Sequence, residues 1–318
     1  MHLVDIPENP VPSGAVCAAI RASDGVELRY ARWRATGSPG LGTVCVFPGR
    51  TEFIEKYFES VGDLRRRGFN VVVLDWRGQG LSQRLLRHPR KGYVDSFEDF
   101  DKDLAALMQQ VVLPDCPPPF FAFAFSMGGN ILMRNATRAP AWFDRQVLVA
   151  PMFGLYSRSG SLPAARALFE IAGLAGFGSA FIPFYGGATH ASMVKFEGNV
   201  LTSDEQRFRR SNKVVEAEPA LGLGAPTIGW LNAAYAAIGE VMDPDFAQRV
   251  RVPTLIVAGG AEQVVSLKAI ETISFRLKNG SQIIVPGARH ELLIERDIYR
   301  SQLWAAFDAF VPGSKLFD

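Results

Sequence analysis

The sequence predicts an α/β fold: a mostly parallel central sheet, helices on both faces and a mainly helical insertion. Three observations carry this reading. Short apolar, β-branched runs recur along the chain, and helical patterns separate them. The alternation stops between about residues 152 and 240 and then resumes.

Residues 15–20 and 26–30 read as two antiparallel strands joined at Ser23-Asp24-Gly25, because Asp-Gly between apolar runs favours a tight hairpin. Strand 43–47, helix 54–67, strand 70–75, helix 97–111, strand 119–125, helix 127–138 and strand 146–150 follow. Strands separated by helices are joined by crossovers and pair in parallel, with both faces covered. The segment 152–240 offers no convincing strand. Residues 162–174 are apolar at helical spacing and loosen into Gly173, Gly176 and Gly178. Thr202-Ser203-Asp204-Glu205 reads as a capping box opening a short helix, with Glu205 reaching back to the cap. Residues 230–235 are helical again. Strand 253–258, helix 266–277, strand 281–285 and helix 292–310 complete the pattern. The chain thus divides into a core of residues 1–151 and 241–318 and an inserted cap of residues 152–240 over the sheet.

The most informative motif is Ala124-Phe125-Ser126-Met127-Gly128-Gly129, between strand 119–125 and helix 127–138. A serine flanked by small residues on a strand-to-helix turn is the setting of a nucleophile elbow, where strand and helix approach closely around a strained residue. Ala124 and Gly128 fill the small positions, and a strict glycine pattern would miss the site. Serine is a weak nucleophile without a histidine base oriented by a carboxylate. Of four histidines, His2 lies in the N-terminal tail, His88 in a basic loop and His190 in a Gly-rich segment. His290 follows strand 281–285 and the turn Pro286-Gly287-Ala288-Arg289, at the C-terminal edge where open α/β sheets keep their chemistry. The acid belongs between serine and histidine in chain order, and Glu262 is the first acid after strand 253–258. Asp243 and Asp245 precede that strand and read as turn residues. The place after strand 146–150 holds Pro151, Met152 and Phe153, with no acid.

Acyl transfer also needs two N–H donors for the oxyanion. The residue after the nucleophile, Met127, supplies one. The loop Pro48-Gly49-Arg50-Thr51 after strand 43–47 supplies the other from Arg50 N–H. The Arg50 side chain is either a solvated charge or a ligand for an anionic group at the mouth.

Pro48-Gly49-Arg50-Thr51-Glu52-Phe53, Glu55-Lys56-Tyr57 and Leu74-Asp75-Trp76-Arg77-Gly78-Gln79-Gly80-Leu81-Ser82 resemble the monoacylglycerol lipase and bacterial lysophospholipase group of α/β-hydrolases. Phe125 to Gly129, Gly287 to Glu291, and Asn199 to Asp204 through Arg207-Phe208 are similar to the lysophospholipase branch. The resemblance spans residues 15 to 311. It implies the α/β-hydrolase fold, a Ser126–His290–Glu262 triad, an acyl-enzyme and no metal or organic cofactor. Two departures stand out: Pro48-Gly49 where histidine-glycine is usual, and Glu262 where aspartate is usual. The donor is backbone and glutamate can orient a histidine, so neither removes a chemical function.

With 318 residues, 48% of them hydrophobic, the chain can bury a large core. A net charge of +2 and the lack of a basic stripe with interleaved aromatics argue against nucleic-acid binding. Cys17, Cys45 and Cys116 are unclustered and lack metal spacing, which reads as reduced core thiols in a cytoplasmic protein. The N-terminus lacks the basic start and apolar stretch of a signal peptide. No obligate protein partner is evident. The expected partner is a lipid or small ester, with transient contact to a membrane surface aided by the basic loop Arg84, Arg87, His88, Arg90 and Lys91. Phe125 at the elbow and Phe153, Phe181 and Phe184 of the cap are candidates for an acyl-binding wall. Other readings are a small-ester hydrolase, an aminopeptidase using Glu197, Asp204, Glu205, Glu216 or Glu218 to hold a substrate amine, and a binding protein with a degenerate triad.

Overall fold

The computed structural model describes residues 1–36, 40–157, 162–183, 186–189 and 195–314. Eight strands form one sheet: β1 (Val16–Arg21), β2 (Glu27–Trp33), β3 (Thr43–Phe47), β4 (Asn70–Leu74), β5 (Phe120–Phe125), β6 (Arg145–Val149), β7 (Thr254–Gly259) and β8 (Gly280–Val285). Their spatial order is β1-β2-β4-β3-β5-β6-β7-β8. The hairpin β1–β2 and the β2–β4 pair are antiparallel, and all pairs from β4 to β8 are parallel. The central strands read as unbroken apolar runs because both faces are covered: every residue of β3 is buried.

The covering helices are α1 (Phe58–Arg66), α2 (Glu98–Leu107), α3 (Met127–Asn135), then between β6 and β7 α4 (Leu162–Leu174), α5 (Glu205–Ala217) and α6 (Ile228–Met242), and finally α7 (Leu267–Arg276) and α8 (Asp297–Phe310). On one face Phe123 stacks on Trp304 of α8, ring centres 5.6 Å apart. On the other, Phe47 stacks on Trp76 at 5.5 Å, and Trp76 meets Phe100 of α2 edge-on. Each such pair adds roughly 0.5–1.5 kcal/mol beyond the area it buries.

Beneath the loops after β3 and β4 lies a buried charge cluster. Arg29 donates from Nε to Asp75 at 2.7 Å and from Nη1 to Glu55 at 2.7 Å, and all three are fully buried. Asp75 also accepts the N–H groups of Ile54 at 2.9 Å and Leu81 at 2.8 Å, fixing both loops. A Cβ on Gly80 would sit 2.0 Å from the Asp75 carboxylate, so that position excludes any side chain.

Three elements differ from the sequence expectations. The first turn of the predicted 54–67 helix is a 3-10 turn, Ile54–Tyr57, ahead of α1. The 292–310 helix is broken: a short turn, Leu292–Ile294, precedes α8. Glu295, fully buried and extended, causes the break, its carboxylate accepting the N–H groups of Arg289, Arg296 and Ser203, each at 3.0 Å, and the Ser203 hydroxyl at 2.6 Å. Third, α5 is capped by Asp204, which accepts Arg207 N–H at 2.9 Å, and runs for 13 residues; Glu205 pairs forward with Arg209 instead of reaching back. A cap two residues later than the expected Thr202 places Arg207 against the core. Among the described residues, no helix is long and apolar enough to cross a membrane.

Candidate active site

Ser126 stands between β5 and α3 with φ 49° and ψ −111°. A positive φ costs a non-glycine residue on the order of 1–3 kcal/mol and persists only when the surroundings fix it. Here they do: Ser126 N–H donates to Val149 O at 2.9 Å, and Ser126 O accepts Met152 N–H at 3.0 Å. A Cβ on Gly128 would lie 2.5 Å from Phe47 O and 2.7 Å from Pro48 O, which dictates glycine. Ala124 is buried in the strand, paired with Phe47 and Leu148, so its methyl lies within the sheet packing.

His290 Nε2 lies 3.2 Å from Ser126 Oγ, and its Nδ1 lies 2.7 Å from Glu262 Oε2. All three residues are buried. Close approach of the loops after β7 and β8 makes this possible. A Cβ on Gly259 would fall 2.3 Å from Ala288 O, and Ala261 N–H donates to Ala288 O at 2.9 Å. The second carboxylate oxygen of Glu262 accepts Val264 N–H at 2.6 Å and Val265 N–H at 3.1 Å, so its own loop aims it. The longer side chain is accommodated in this way. Asp243 accepts Asp245 N–H at 2.9 Å in a turn, as expected of it.

His2 lies 3.7 Å from Glu218, His88 packs edge-on against Phe181, and His190 lies outside the described residues. The loop carrying His290 is stitched to the segment before α5. Glu291 N–H donates to Leu201 O at 2.8 Å, and Arg289 Nη1 donates to Asn199 O at 3.0 Å and Thr202 O at 2.8 Å.

The loop after β3 is braced on both sides of Arg50. Glu52 accepts Gly49 N–H at 2.7 Å and the Tyr57 hydroxyl. Gln79 donates from Nε2 to Gly49 O at 2.9 Å and accepts Thr51 N–H at 3.0 Å. Arg50 N–H between them has no hydrogen-bond partner among the described residues, nor does Met127 N–H at the start of α3. Glu52 and Gln79 escaped the sequence reading; their only signal was membership of the two motifs around Pro48 and Asp75. Glu52 also pairs with Lys56 at 2.8 Å, and Lys56 with Glu291 at 2.6 Å. Burial opposes the Lys56 charge, but Glu291 and Glu52 outweigh it and raise its pKa.

Above Ser126 and His290 opens a cavity of about 320 Å³. Its walls are mainly apolar, including Phe53, Phe125, Met152, Leu155, Phe208 and Trp230, with Arg50, Ser211 and Asn212 among the polar lining. Of the four expected wall residues, Phe125 lines it. Phe153 is fully buried in the core, Phe181 packs against His88 and Lys91 beside the basic loop, and Phe184 lies outside the described residues. The roof contacts come instead from α5 and α6. The acids Asp204, Glu205 and Glu218 are engaged with Arg207, Arg209 and His2, away from this cavity.

The sequence model of the family described as Hydrolase_4, serine aminopeptidase S33, matches residues 39–297. The chain belongs to the Hydrolase_4 family. It is a carboxylic ester hydrolase similar to lysophospholipases. Lysophospholipase L2 of Escherichia coli strain K12 is 33% identical over 295 residues, covering 90% of this chain and 85% of that protein. A probable lysophospholipase L2 of Haemophilus influenzae is 26% identical, covering 83% and 81%. A soluble variant of the Saccharomyces cerevisiae monoglyceride lipase, solved with a substrate analogue, superposes with a TM-score of 0.73 at 16% identity, covering 94% and 97% of the two chains. That likeness shows the α/β-hydrolase fold.

Proposed function

We propose that the chain hydrolyses carboxylic esters of single-chain lipids, of the lysophospholipid or monoacylglycerol kind, through a Ser126-linked acyl-enzyme. The observation that carries this reading is the relay Glu262–His290–Ser126 on the floor of a mainly apolar cavity. Ser126 Oγ attacks the ester carbonyl while His290 Nε2 takes its proton, and Glu262 steadies the imidazolium through Nδ1–H. Met127 and Arg50 N–H groups stabilise the oxyanion. Collapse of the tetrahedral intermediate returns the proton to the leaving alcohol. Water, deprotonated by the same histidine, then attacks the acyl carbon, and the carboxylic acid and free Ser126 are released. Each acyl methylene buried in the cavity adds about 0.8 kcal/mol of binding, so chain length tunes the rate until the cavity ends.

An aminopeptidase would need a free carboxylate for the substrate amine, and the one acid lining the cavity among the described residues, Glu291, is already matched to Lys56. Transient contact with a lipid surface is supported by α4 and the turn after it, where Leu168, Ile171, Leu174 and Phe177 stand exposed.

The test is labelling by a fluorophosphonate of the native chain and of Ser126→Ala, followed by a p-nitrophenyl ester series of rising acyl length. Labelling confined to the native chain, with rates climbing toward medium or long chains, is the expected result. Ester hydrolysis retained by Ser126→Ala would refute the assignment, and an unlabelled native chain would favour a binding protein.

A further inference from the structure

The cavity lining carries two cations, in very different circumstances. Lys56 is matched by the carboxylates of Glu52 and Glu291. Arg50 has no carboxylate at ion-pair distance among the described residues: its Nη2 donates to Gly224 O at 3.0 Å, and its guanidinium lies 4.9 Å from the centre of the Trp230 ring. Its Nε is buried without a hydrogen-bond partner among the described residues. A buried, unsatisfied donor on a charged group is costly and calls for a reason. Burial alone acts on this guanidinium, pushing its pKa down to about 10, as befits a cation with no anion beside it. Arg50 shares the cavity lining with Ser126, and its own N–H is the proposed oxyanion donor.

Across the same lining, α5 contributes polar groups. The Asn212 amide makes no hydrogen bond among the described residues, and Ser211 donates to Arg207 O at 3.1 Å. The remaining lining is mainly apolar, so the unmatched positive charge in the cavity is that of Arg50.

We infer that the Arg50 guanidinium, with its unpartnered Nε–H, is the recognition point for the phosphate of a lysophospholipid headgroup, so that phosphate-bearing single-chain esters are preferred over neutral monoacylglycerols. This rests on the proposed ester hydrolysis and deepens it by naming the substrate class. Guanidinium donors match phosphate oxygens in a planar fork, and a partly desolvated cavity strengthens the pairing. A neutral glycerol ester leaves the same donor unsatisfied. Losing one charge-assisted hydrogen bond of this kind corresponds to roughly a 10- to 100-fold change.

The experiment compares kcat/KM for a lysophosphatidylglycerol and a monoacylglycerol with the same medium-length acyl chain, both below aggregation, in the native chain, Arg50→Lys and Arg50→Met. In parallel, calorimetry measures binding of sn-glycerol 3-phosphate, inorganic phosphate and glycerol to the same three proteins. The native chain is expected to favour the phosphate ester and to bind glycerol 3-phosphate. Arg50→Met should shrink the preference about 10- to 100-fold and lose that binding, with Arg50→Lys between.

Equal losses on both esters would overturn the inference and leave Arg50 as a tie to Gly224 and Trp230. So would a native preference for the neutral ester, or inorganic phosphate binding as tightly as glycerol 3-phosphate. Calorimetry needs no turnover: a native chain inactive on every ester would refute the functional reading while Arg50 was still judged by binding. Should Arg50→Met fail to fold, Arg50→Lys and the native binding series decide the matter.

Discussion

Arg207 of α5 grips Glu59 of α1 in a two-point contact, Nη2 to Oε1 at 2.6 Å and Nε to Oε2 at 2.9 Å, fastening the roof of the cavity to its core. Arg210 of α5 reaches the same carboxylate at 2.5 Å and Arg300 of α8 at 2.9 Å. Burial works against the Glu59 charge, and Arg207, Arg300 and Arg210 outweigh that cost, holding its pKa at about 2 against an ordinary 4.5.

The folded chain therefore keeps this carboxylate ionised down to about pH 2, whereas the unfolded chain protonates it near 4.5. Stability from this group is whole above about pH 4.5 and disappears as the pH falls toward 2. Urea denaturation of the native chain and Glu59→Gln should differ by about 1–3 kcal/mol at neutral pH. The gap should close on acidification. A difference that persisted at pH 2 would contradict this account.

Replacing Glu262 by Gln should lower kcat on the order of 10³- to 10⁴-fold with a smaller effect on KM, because the imidazolium loses its counter-charge. Glu262→Asp should fall in between. The shorter side chain cannot both reach His290 Nδ1 and accept the Val264 and Val265 N–H groups that now aim it. Steady-state kinetics on one ester checks both. An aspartate variant as fast as the native chain would show that the length of the acid is immaterial.

Gln79 bonds both neighbours of Arg50 and leaves the Arg50 N–H free, which on the proposed mechanism makes it a positioning residue. Gln79→Ala should reduce kcat about 10- to 100-fold, less than deletion of an oxyanion donor. Binding of a trifluoromethyl ketone, which mimics the tetrahedral adduct, should weaken in step with kcat/KM. Binding of the product acid should barely move. Equal weakening of both would reduce Gln79 to a structural role.

Gly128→Ala should cost activity and stability together, since its new methyl meets two backbone carbonyls that cannot rotate aside. A loss of about 1–3 kcal/mol in thermal or chemical denaturation is expected from such overpacking. Gly176→Ala is the contrast: its Cβ would meet nothing within 4 Å, and only its left-handed φ of 89° resists.

Strands such as 43–47 were legible because both-faced burial writes an unbroken apolar run between breakers. Ser126 was legible because a close strand–helix approach demands small neighbours, and His290 because of its place after the last strand. What escaped depends on side chains meeting across the fold. Gln79 and Gly49 are thirty positions apart, and no local pattern joins them. The sequence points to Phe153, Phe181 and Phe184 for the apolar wall, yet Phe208 and Asn212 of α5 face the cavity, because the helix is turned by Arg207 and its partners on the core. The break at Glu295 was equally hidden, since a glutamate in a helical pattern looks like a solvent-facing one until its four hydrogen bonds are seen.

The seam between the His290 loop and residues 199–203 also bears on the timing of catalysis. Leu201, Asn199 and Thr202 are bonded to Glu291 and Arg289, on either side of His290. Lifting the roof along that edge would carry the histidine away from the serine. This rim is a door jamb rather than a door: on the proposed function, a lipid passes in and out along another margin, and the Glu262–His290–Ser126 contacts stay assembled while it does.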